Sequence, residues 1–409
     1  MDLFIARQPI FTTELTVYAY ELLFRSSPAN YFPDVDHTHA SARVIADTLF
    51  NIGLETLTGG KLAFINMTRD VLVSDAGALL PNDQAVLEIL ETVTPDDEVI
   101  AACQRLKKGG YQIALDDFVD AEEYAPLVDL ADIIKVDVLA TAPAQRQAMV
   151  ARYAPKGIRL LAEKIETQEM FHEAVGQGYT YFQGYFFARP AMMKARSAPE
   201  FRLTYLRLLQ EASRPDVDVR RMAAIISQDV TLSYRLLRRI NSAYYGVRNT
   251  VSSIPEAVRM LGVDDLRRWA SLLFLATLSV NKPPELVVES ALRARLCESL
   301  AADTRLADHR EDLFIVGMFS LLDAMLDRPL SELVGELPLS SDVKAALLGE
   351  PNRLRAVLDC VVAYISGDWT NLPGLVAPLG LSEETLPTRY KEALIWVQKT
   401  LPAGASDGM

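Results

Sequence analysis

Nine side chains able to hold a metal, move a proton or grip a phosphate recur at one kind of place in this 409-residue sequence, the last residues of short apolar runs. Glu21 follows Val-Tyr-Ala-Tyr, and Asn66 follows Leu-Ala-Phe-Ile. Glu88 and Glu91 end Ala-Val-Leu, Asp116 and Asp117 close Gln-Ile-Ala-Leu, and Lys135 closes Ile-Ile. Glu163 closes Leu-Leu-Ala, and Gln183 closes Tyr-Phe. Carboxylates crowded into one mouth repel unless cations or raised pKa values compensate, and one lysine cannot offset them all. Hard divalent cations can, held by carboxylate and amide oxygens, which favours Mg²⁺ or Mn²⁺. Such a site suits phosphodiester hydrolysis: the cations bind phosphate oxygens and activate a water, whose proton a lysine or carboxylate manages. Any one of these acids alone is equally well a helix N-cap or a loop charge; the ordered set carries the reading.

To share one site, those residues must sit on elements that end on one rim. Strand candidates are Leu3–Ala6, Val17–Phe24, Leu62–Met67, Ala85–Leu90, Gln112–Phe118, Ile133–Val138, Arg159–Lys164 and Tyr179–Tyr185, with helix-period segments such as Asp96–Gly110 between most of them. Alternating strands and helices imply a parallel sheet, and about eight strands in under 200 residues imply a closed barrel of TIM-like (β/α) type. The strand ends of such a barrel form the rim that carries chemistry.

Arg189 to Asp218 is a boundary, with Pro190, Pro199 and Pro215 around one amphipathic helix that carries Leu203, Leu206 and Leu209. Beyond it the pattern is all-α. Helices are expected over 219–226, 230–240, 264–279, 285–303, 311–326, 341–348, 351–366 and 383–400. Ser253-Ile-Pro-Glu256 has capping-box spacing, with Gly262 at the C-cap of that helix. The expected division is a barrel over 1–190, a linker helix over 191–215, a helical domain over 216–400 and a flexible tail over 401–409.

Composition narrows the function further. Half of the residues are hydrophobic, and 41 basic against 54 acidic side chains give a net charge of −13. That charge disfavours nucleic acid and anionic lipid as partners. The arginines between Arg214 and Arg268, ten against six acids and no lysine, are a solvated face or a dock for an acidic partner or for the barrel. Cys103, Cys297 and Cys360 lie far apart in apolar surroundings and read as buried thiols. His37 and His39 read as loop residues, and His309 as a surface side chain. The N-terminus has no signal-peptide pattern. The longest apolar stretch, Trp269 to Val280, is too short to span a bilayer. A cytoplasmic protein is expected.

The order of these residues resembles the EAL family of cyclic di-GMP phosphodiesterases over about residues 3–190. Gln8-Pro9-Ile10, Glu21-Leu22-Leu23-Phe24-Arg25, Asn66, Leu87-Glu88-Ile89-Leu90-Glu91, Asp116-Asp117-Phe118, Lys135-Val136-Asp137, Ala162-Glu163-Lys164-Ile165-Glu166, Gln183-Gly184-Tyr185 and Ala188-Arg189-Pro190 each resemble a family motif. The resemblance implies metal ligands at Glu21, Asn66, Glu88, Asp116 and Asp117, with one or two Mg²⁺ or Mn²⁺ ions. It implies catalytic roles for Lys135 and Glu163, with Glu163 as general base, and substrate contacts from Gln8, Arg25, Gln183 and Pro190. Glu91 would steady the active-site loop.

Residues about 200–400 resemble the HDOD module in Ile226-Ser-Gln-Asp229-Val-Thr-Leu232, Leu236–Ala243, and Ile254-Pro-Glu-Ala257 with Leu261-Gly262. HDOD modules are similar to HD phosphohydrolases without their metal-binding His-Asp pairs, and Gly317–Leu322 carries neither residue here. A regulatory half with an unidentified protein partner is implied, as is a homodimer. Three departures stand out in the barrel. Leu22 replaces the middle alanine of the name-giving motif. Val119-Asp120-Ala121-Glu122-Glu123 has no glycine where the family carries a Gly-Thr-Gly-containing loop, and Lys164 replaces the glycine after the base. Lost glycines remove positive φ and close approach, so an altered loop is expected. Three readings stay open: a phosphodiesterase, a site that only binds cyclic di-GMP, and an inactive scaffold acting through protein contacts.

Overall fold

The computed structural model describes residues 4–25, 53–74, 76–118, 122–188, 207–208, 211, 218–241, 251–278, 282–337, 339–382 and 385–401. Eight strands close into a barrel in chain order: β1 (Phe4–Phe11), β2 (Val17–Arg25), β3 (Leu62–Met67), β4 (Ala85–Ile89), β5 (Gln112–Leu115), β6 (Ile133–Asp137), β7 (Arg159–Glu163) and β8 (Tyr181–Gln183). All eight expected strands are present, but the sheet is not wholly parallel. β1 is antiparallel to both neighbours, β2 and β8. Its link to β2 is the reason. Thr12 and Thr16 close a tight turn through Thr12 N donating to Thr16 O at 2.9 Å, and a turn that short permits only an antiparallel pair. β1 also runs through Pro9, where it has a neighbour on one side only, since it meets β8 at Ile10 and Phe11. There the missing N–H breaks little of the ladder.

Helices α1 (Leu54–Thr58), α2 (Arg69–Val73), α3 (Asp97–Lys108), α4 (Ala125–Val128), α5 (Pro143–Tyr153) and α6 (Gln168–Gln177) lie between the strands. α3 shows why such segments are helical. Asp96 accepts from Val99 N at 2.9 Å, acids occupy the first turn and bases the last, and Val99, Ala102, Cys103 and Leu106 form the buried stripe.

From residue 218 onward the described chain is helical: α7 (Val219–Ser227), α8 (Val230–Ile240), α9 (Ile254–Leu261), α10 (Val263–Leu278), α11 (Glu285–Leu300), α12 (Arg310–Phe319), α13 (Leu322–Leu326), α14 (Leu330–Glu336), α15 (Ser341–Leu347), α16 (Arg353–Ile365), α17 (Leu372–Val376) and α18 (Thr385–Thr400). Two of these, α14 and α17, were not expected. The helix expected over 311–326 is two helices, α12 and α13, because Ser320 Oγ bonds back to the Gly317 carbonyl at 2.8 Å and ends the first. The capping box is also corrected. Ser253 is the N-cap of α9, but its hydroxyl meets Glu256 Oε2 at 3.5 Å and caps no backbone N–H. Gly262 ends α9 with φ 78°, as expected. Asn241 locks the junction between α8 and α9. It donates to Leu237 O and Val251 O and accepts from Val251 N, all at 2.8 Å.

The two regions share one continuous core. The outer face of the β1–β2 hairpin is its seam. Phe4 packs on Tyr364 and Trp369 with ring centroids 6.3 and 6.1 Å apart. Gln398 of α18 donates to Glu55 O and Thr56 O at 3.1 and 2.8 Å. Buried Tyr20 donates to Glu285 Oε2 at 2.9 Å, and the Arg7 guanidinium stacks 4.2 Å from the Tyr20 ring centroid. Burial pushes the Glu285 carboxyl up to about 7, against the pull of Arg7 and the Tyr20 bond. The three cysteines are buried and unpaired in disulfides, as expected. Among the described residues, no helix is long and apolar enough to cross a membrane.

Arg189, Pro190, His37, His39, the loop 119–121, the tail beyond Leu401 and most of the expected linker helix lie outside the described residues; within 191–215, residues 207, 208 and 211 are helical.

Candidate active site

The barrel interior is built in layers, and the strand period of two writes them directly. One layer takes a residue from each strand: Ile10, Ala19, Phe64, Val86, Ala114, Ile133, Leu161 and Tyr181, a dry floor. Two residues on along every strand, or two back on antiparallel β1, the interior set becomes Gln8, Glu21, Asn66, Glu88, Asp116, Lys135, Glu163 and Gln183. One rim therefore holds Asn66 and Asp116 together with Gln8, Glu21, Glu88, Lys135, Glu163 and Gln183. The apolar floor beneath excludes water and lowers the local dielectric, which strengthens every charge interaction above it.

Lys135 is the centre of the layer. Its ammonium, 1% exposed, donates to Asp116 Oδ1 at 2.9 Å, pairs with Glu163 Oε1 at 2.8 Å, reaches Glu21 Oε2 at 3.4 Å and makes a short bond to Glu88 Oε1. Four carboxylates thus surround one cation. Burial pushes the Glu88 carboxyl well above the usual range, and the charge on Glu21 adds to it despite Lys135. Burial likewise raises the Glu163 carboxyl to about 8; Lys135 pulls it down while Asp116 and Glu21 push it up. Burial works against the Lys135 charge, but Glu163, Glu21, Glu88 and Asp116 together hold its pKa above the ordinary lysine value. Gln183 Nε2 donates to Glu21 Oε2 at 2.6 Å and to Gln8 Oε1 at 3.0 Å, tying β8 to β1 and β2.

The donor set suits a hard cation. Asn66 Oδ1, Glu88 Oε2, Asp117 Oδ1, Glu163 Oε2 and Gln183 Oε1 are buried acceptors without a hydrogen-bond partner. Five orphaned acceptors around a carboxylate surplus are costly unless positive charge meets them. In the present arrangement the carboxylates are drawn onto Lys135, and among the described residues no three His, Cys, Asp or Glu side chains stand as a ready metal cage.

Asp116 and Asp117 correct the expected strand. β5 ends at Leu115, and both aspartates lie in the bend that follows. Asp116 N still donates to Ile89 O at 2.9 Å, whereas Asp117 turns to φ 39°. A straight strand would send the two side chains to opposite faces; the turn leaves Asp117 Oδ1 buried. Lys164 corrects the other glycine expectation. It keeps positive φ, 57°, without being glycine. The cost of that conformation, about 1–2 kcal/mol, is opposed by hydrogen bonds from Lys164 Nζ to Asp137 Oδ2 and, at 3.5 Å, Asp117 Oδ2. Glu91 is exposed, and its carbonyl accepts from Tyr124 Oη at 3.3 Å. It lines a cavity of about 210 Å³ with Asp116, Asp117 and Phe118. The backbone of Arg25 ends β2; its side chain, like Pro190, lies outside the described residues.

The EAL domain family matches residues 32–190 and the HDOD domain family residues 198–324. Over 398 residues the chain is 36% identical to the cyclic di-GMP phosphodiesterase CdgJ of Vibrio cholerae, covering 97% of this chain and 92% of CdgJ. The chain belongs to the EAL–HDOD family. YuxH of Bacillus subtilis is 35% identical over 411 residues, with 98% of this chain and all of YuxH covered. A solved structure of the PaMucR phosphodiesterase in complex with c-di-GMP overlaps 46% of this chain and 97% of its own, at a TM-score of 0.40 and 20% identity. The EAL barrel begins before the matched span, since β1 and β2 supply Gln8 and Glu21.

In the helical half, α12 packs closely on α11 around Gly317. A Cβ on Gly317 would stand 2.5 Å from the carbonyl oxygen of Arg293, so α12 lies directly on α11. Arg293 pairs with Glu289 and donates to Ser320 Oγ at 3.2 Å in the space between. Sequence reasoning missed the contacts that the helical half makes with the site: Gln8 Nε2 donates to Ser366 O at 3.2 Å. No spacing rule relates residues 358 positions apart.

Proposed function

We propose that the EAL half binds cyclic di-GMP with divalent metal and opens one of its phosphodiester bonds, and that the HDOD half, itself not an enzyme, regulates that site and docks a protein partner. The observation that carries the reading is the complete interior layer: seven strands and the bend that follows β5 each contribute one polar residue of the set, above an apolar floor. Glu21, Asn66, Glu88, Asp116 and Asp117 would hold one or two Mg²⁺ or Mn²⁺ ions. The bound ions would supply charge neutralisation at the phosphate and a more acidic water. Glu163 would accept the proton of the attacking water. A carboxyl raised to about 8 is mostly protonated near neutrality and becomes a competent base once neighbouring positive charge lowers its pKa. Lys135, 2.8 Å from Glu163, would orient that carboxylate and stabilise charge on the phosphate oxygens. Gln8, Arg25, Gln183 and Pro190 would seat the nucleotide, and Glu91 would steady the loop beside it. The bond formed joins the water oxygen to phosphorus, and the bond broken is the ester to the departing ribose oxygen, giving a linear dinucleotide.

The division follows the same reading: barrel over 1–190, linker over 191–215, helical domain over 216–400, and tail over 401–409. A homodimer is part of the proposal, as is a cytoplasmic location; nucleic acid is not a partner, given the net charge of −13.

An inactive scaffold is the second reading. It is favoured by the glycine-free stretch Val119–Glu123 and by the engagement of four carboxylates with Lys135. Incubation of purified protein with cyclic di-GMP and Mn²⁺, followed by chromatography, separates the two. Linear product from the wild type and none from Glu21→Ala is expected; equal product from both proteins removes catalysis from this site.

A further inference from the structure

We infer that the turn Ser366–Gly367 of the HDOD half is a positioning element for the nucleotide site, holding Gln8 in place from outside the barrel. The inference rests on the reading of Gln8 as a substrate contact.

The turn follows α16 and reaches over the β1–β2 hairpin. Ser366 ends that helix, its N–H donating to Val362 O at 2.9 Å. Gly367 then adopts φ 71°, which lets the chain double back; Trp369 N donates to Gly367 O at 2.8 Å. The Ser366 carbonyl, released from the helix ladder, accepts from Gln8 Nε2 at 3.2 Å. Gln8 Oε1 in turn accepts from Gln183 Nε2 at 3.0 Å, and the same nitrogen donates to Glu21 Oε2 at 2.6 Å. A chain of hydrogen bonds thus runs from the helical half to a proposed metal ligand. It fixes both ends of the Gln8 amide, leaving one N–H and one lone pair for a ligand.

Glycine is at ease at that φ, where a β-branched residue is strained, and a Cβ there would press on the tip of the Leu23 side chain, 2.8 Å from its Cδ1. Gly367→Val therefore moves the turn and breaks the Ser366–Gln8 bond while leaving every proposed metal ligand and both proposed catalytic groups in place.

The experiment uses the full chain with Mn²⁺ and cyclic di-GMP, and compares wild type, Gly367→Val, Gln8→Ala and the double variant. Gly367→Val is expected to raise KM about fivefold to tenfold, the worth of one hydrogen bond, with kcat within about twofold. In the Gln8→Ala background the same change is expected to have no further effect on KM, since it acts only through Gln8. The same KM factor in both backgrounds, or a lowered KM, overturns the inference. A readout free of turnover is the Gln8 side-chain amide resonance in ¹⁵N-glutamine-labelled protein, assigned by its loss in Gln8→Ala. A shift of that signal in Gly367→Val without nucleotide supports the latch; an unmoved signal overturns it. If the wild type neither binds nor cleaves cyclic di-GMP, the functional reading fails, and the resonance still decides whether the turn holds Gln8.

Discussion

The two halves of the chain bury charge in opposite ways. In the barrel one lysine stands among four carboxylates, and all of those side chains are 16% exposed or less. In the helical half one glutamate, Glu298, stands among three arginines. Arg268 Nε reaches it at 3.0 Å, Arg295 Nη1 at 2.6 Å and Arg310 Nε at 3.1 Å. The second cluster discharges its surplus: Arg268 also meets Asp265 at 2.7 Å, and the Arg310 side chain is 53% exposed. Arginines there are structural ties, which accounts for part of the arginine-rich stretch, Arg267 and Arg268 among them. Among the described residues the barrel cluster has no such outlet, and its orphaned atoms are all acceptors. A charge imbalance that the fold leaves uncompensated marks a candidate binding site. A balanced or solvated one marks architecture.

The largest expected effect tests the chemistry of the unbalanced cluster. Glu163→Gln keeps shape and removes the base, so kcat for cyclic di-GMP is expected to fall about 10²–10⁴-fold. Unchanged turnover would place the chemistry elsewhere, and unchanged signalling output with turnover lost would favour the scaffold.

Next comes the lysine. Lys135→Met strands buried carboxylates and is expected to cost about 3–5 kcal/mol in urea unfolding without metal. Millimolar Mn²⁺ should recover part of that loss. A variant as stable as wild type in EDTA would mean the carboxylates do not depend on Lys135.

The pH dependence of the metal-free protein is the third probe. Folded Glu163 titrates near 8, above its ordinary value of 4.5, so the folded state holds the extra proton. That contribution to stability is full below about 4.5 and is lost as pH rises through 8. Glu285, raised to about 7, acts in the same direction at the domain seam. Thermal midpoints in EDTA should therefore fall between about pH 5 and 8, and the slope should lessen with Mn²⁺ and in Glu285→Gln. A flat profile in EDTA contradicts the buried negative surplus.

The smallest effect is expected in the balanced cluster. Arg310→Ala removes a half-exposed partner of Glu298 and should change stability by less than about 1 kcal/mol. A loss as large as that of Lys135→Met would erase the contrast between the halves.

Much of the site was legible before any coordinates, because strand alternation is local. An apolar run ending in Glu88 or Asp116 sends that residue to the same face as the Val86 or Ala114 two places earlier, and each of those falls in the floor. The helical half was legible where caps and periodicity agree, as over 230–240. It was misread where a side chain intervened, as Ser320 does in breaking the helix expected over 311–326. Lys164 shows a different failure. Residue type argued against positive φ, yet ion pairs to Asp137 and Asp117 support it.

The sequence by itself determined the barrel and its polar layer, since these follow from residue type and spacing within single elements. Only the tertiary structure decided that Lys135 gathers four carboxylates and that Ser366 reaches Gln8. Those depend on distances between segments up to 358 residues apart, which chain closure and packing set and no local pattern encodes.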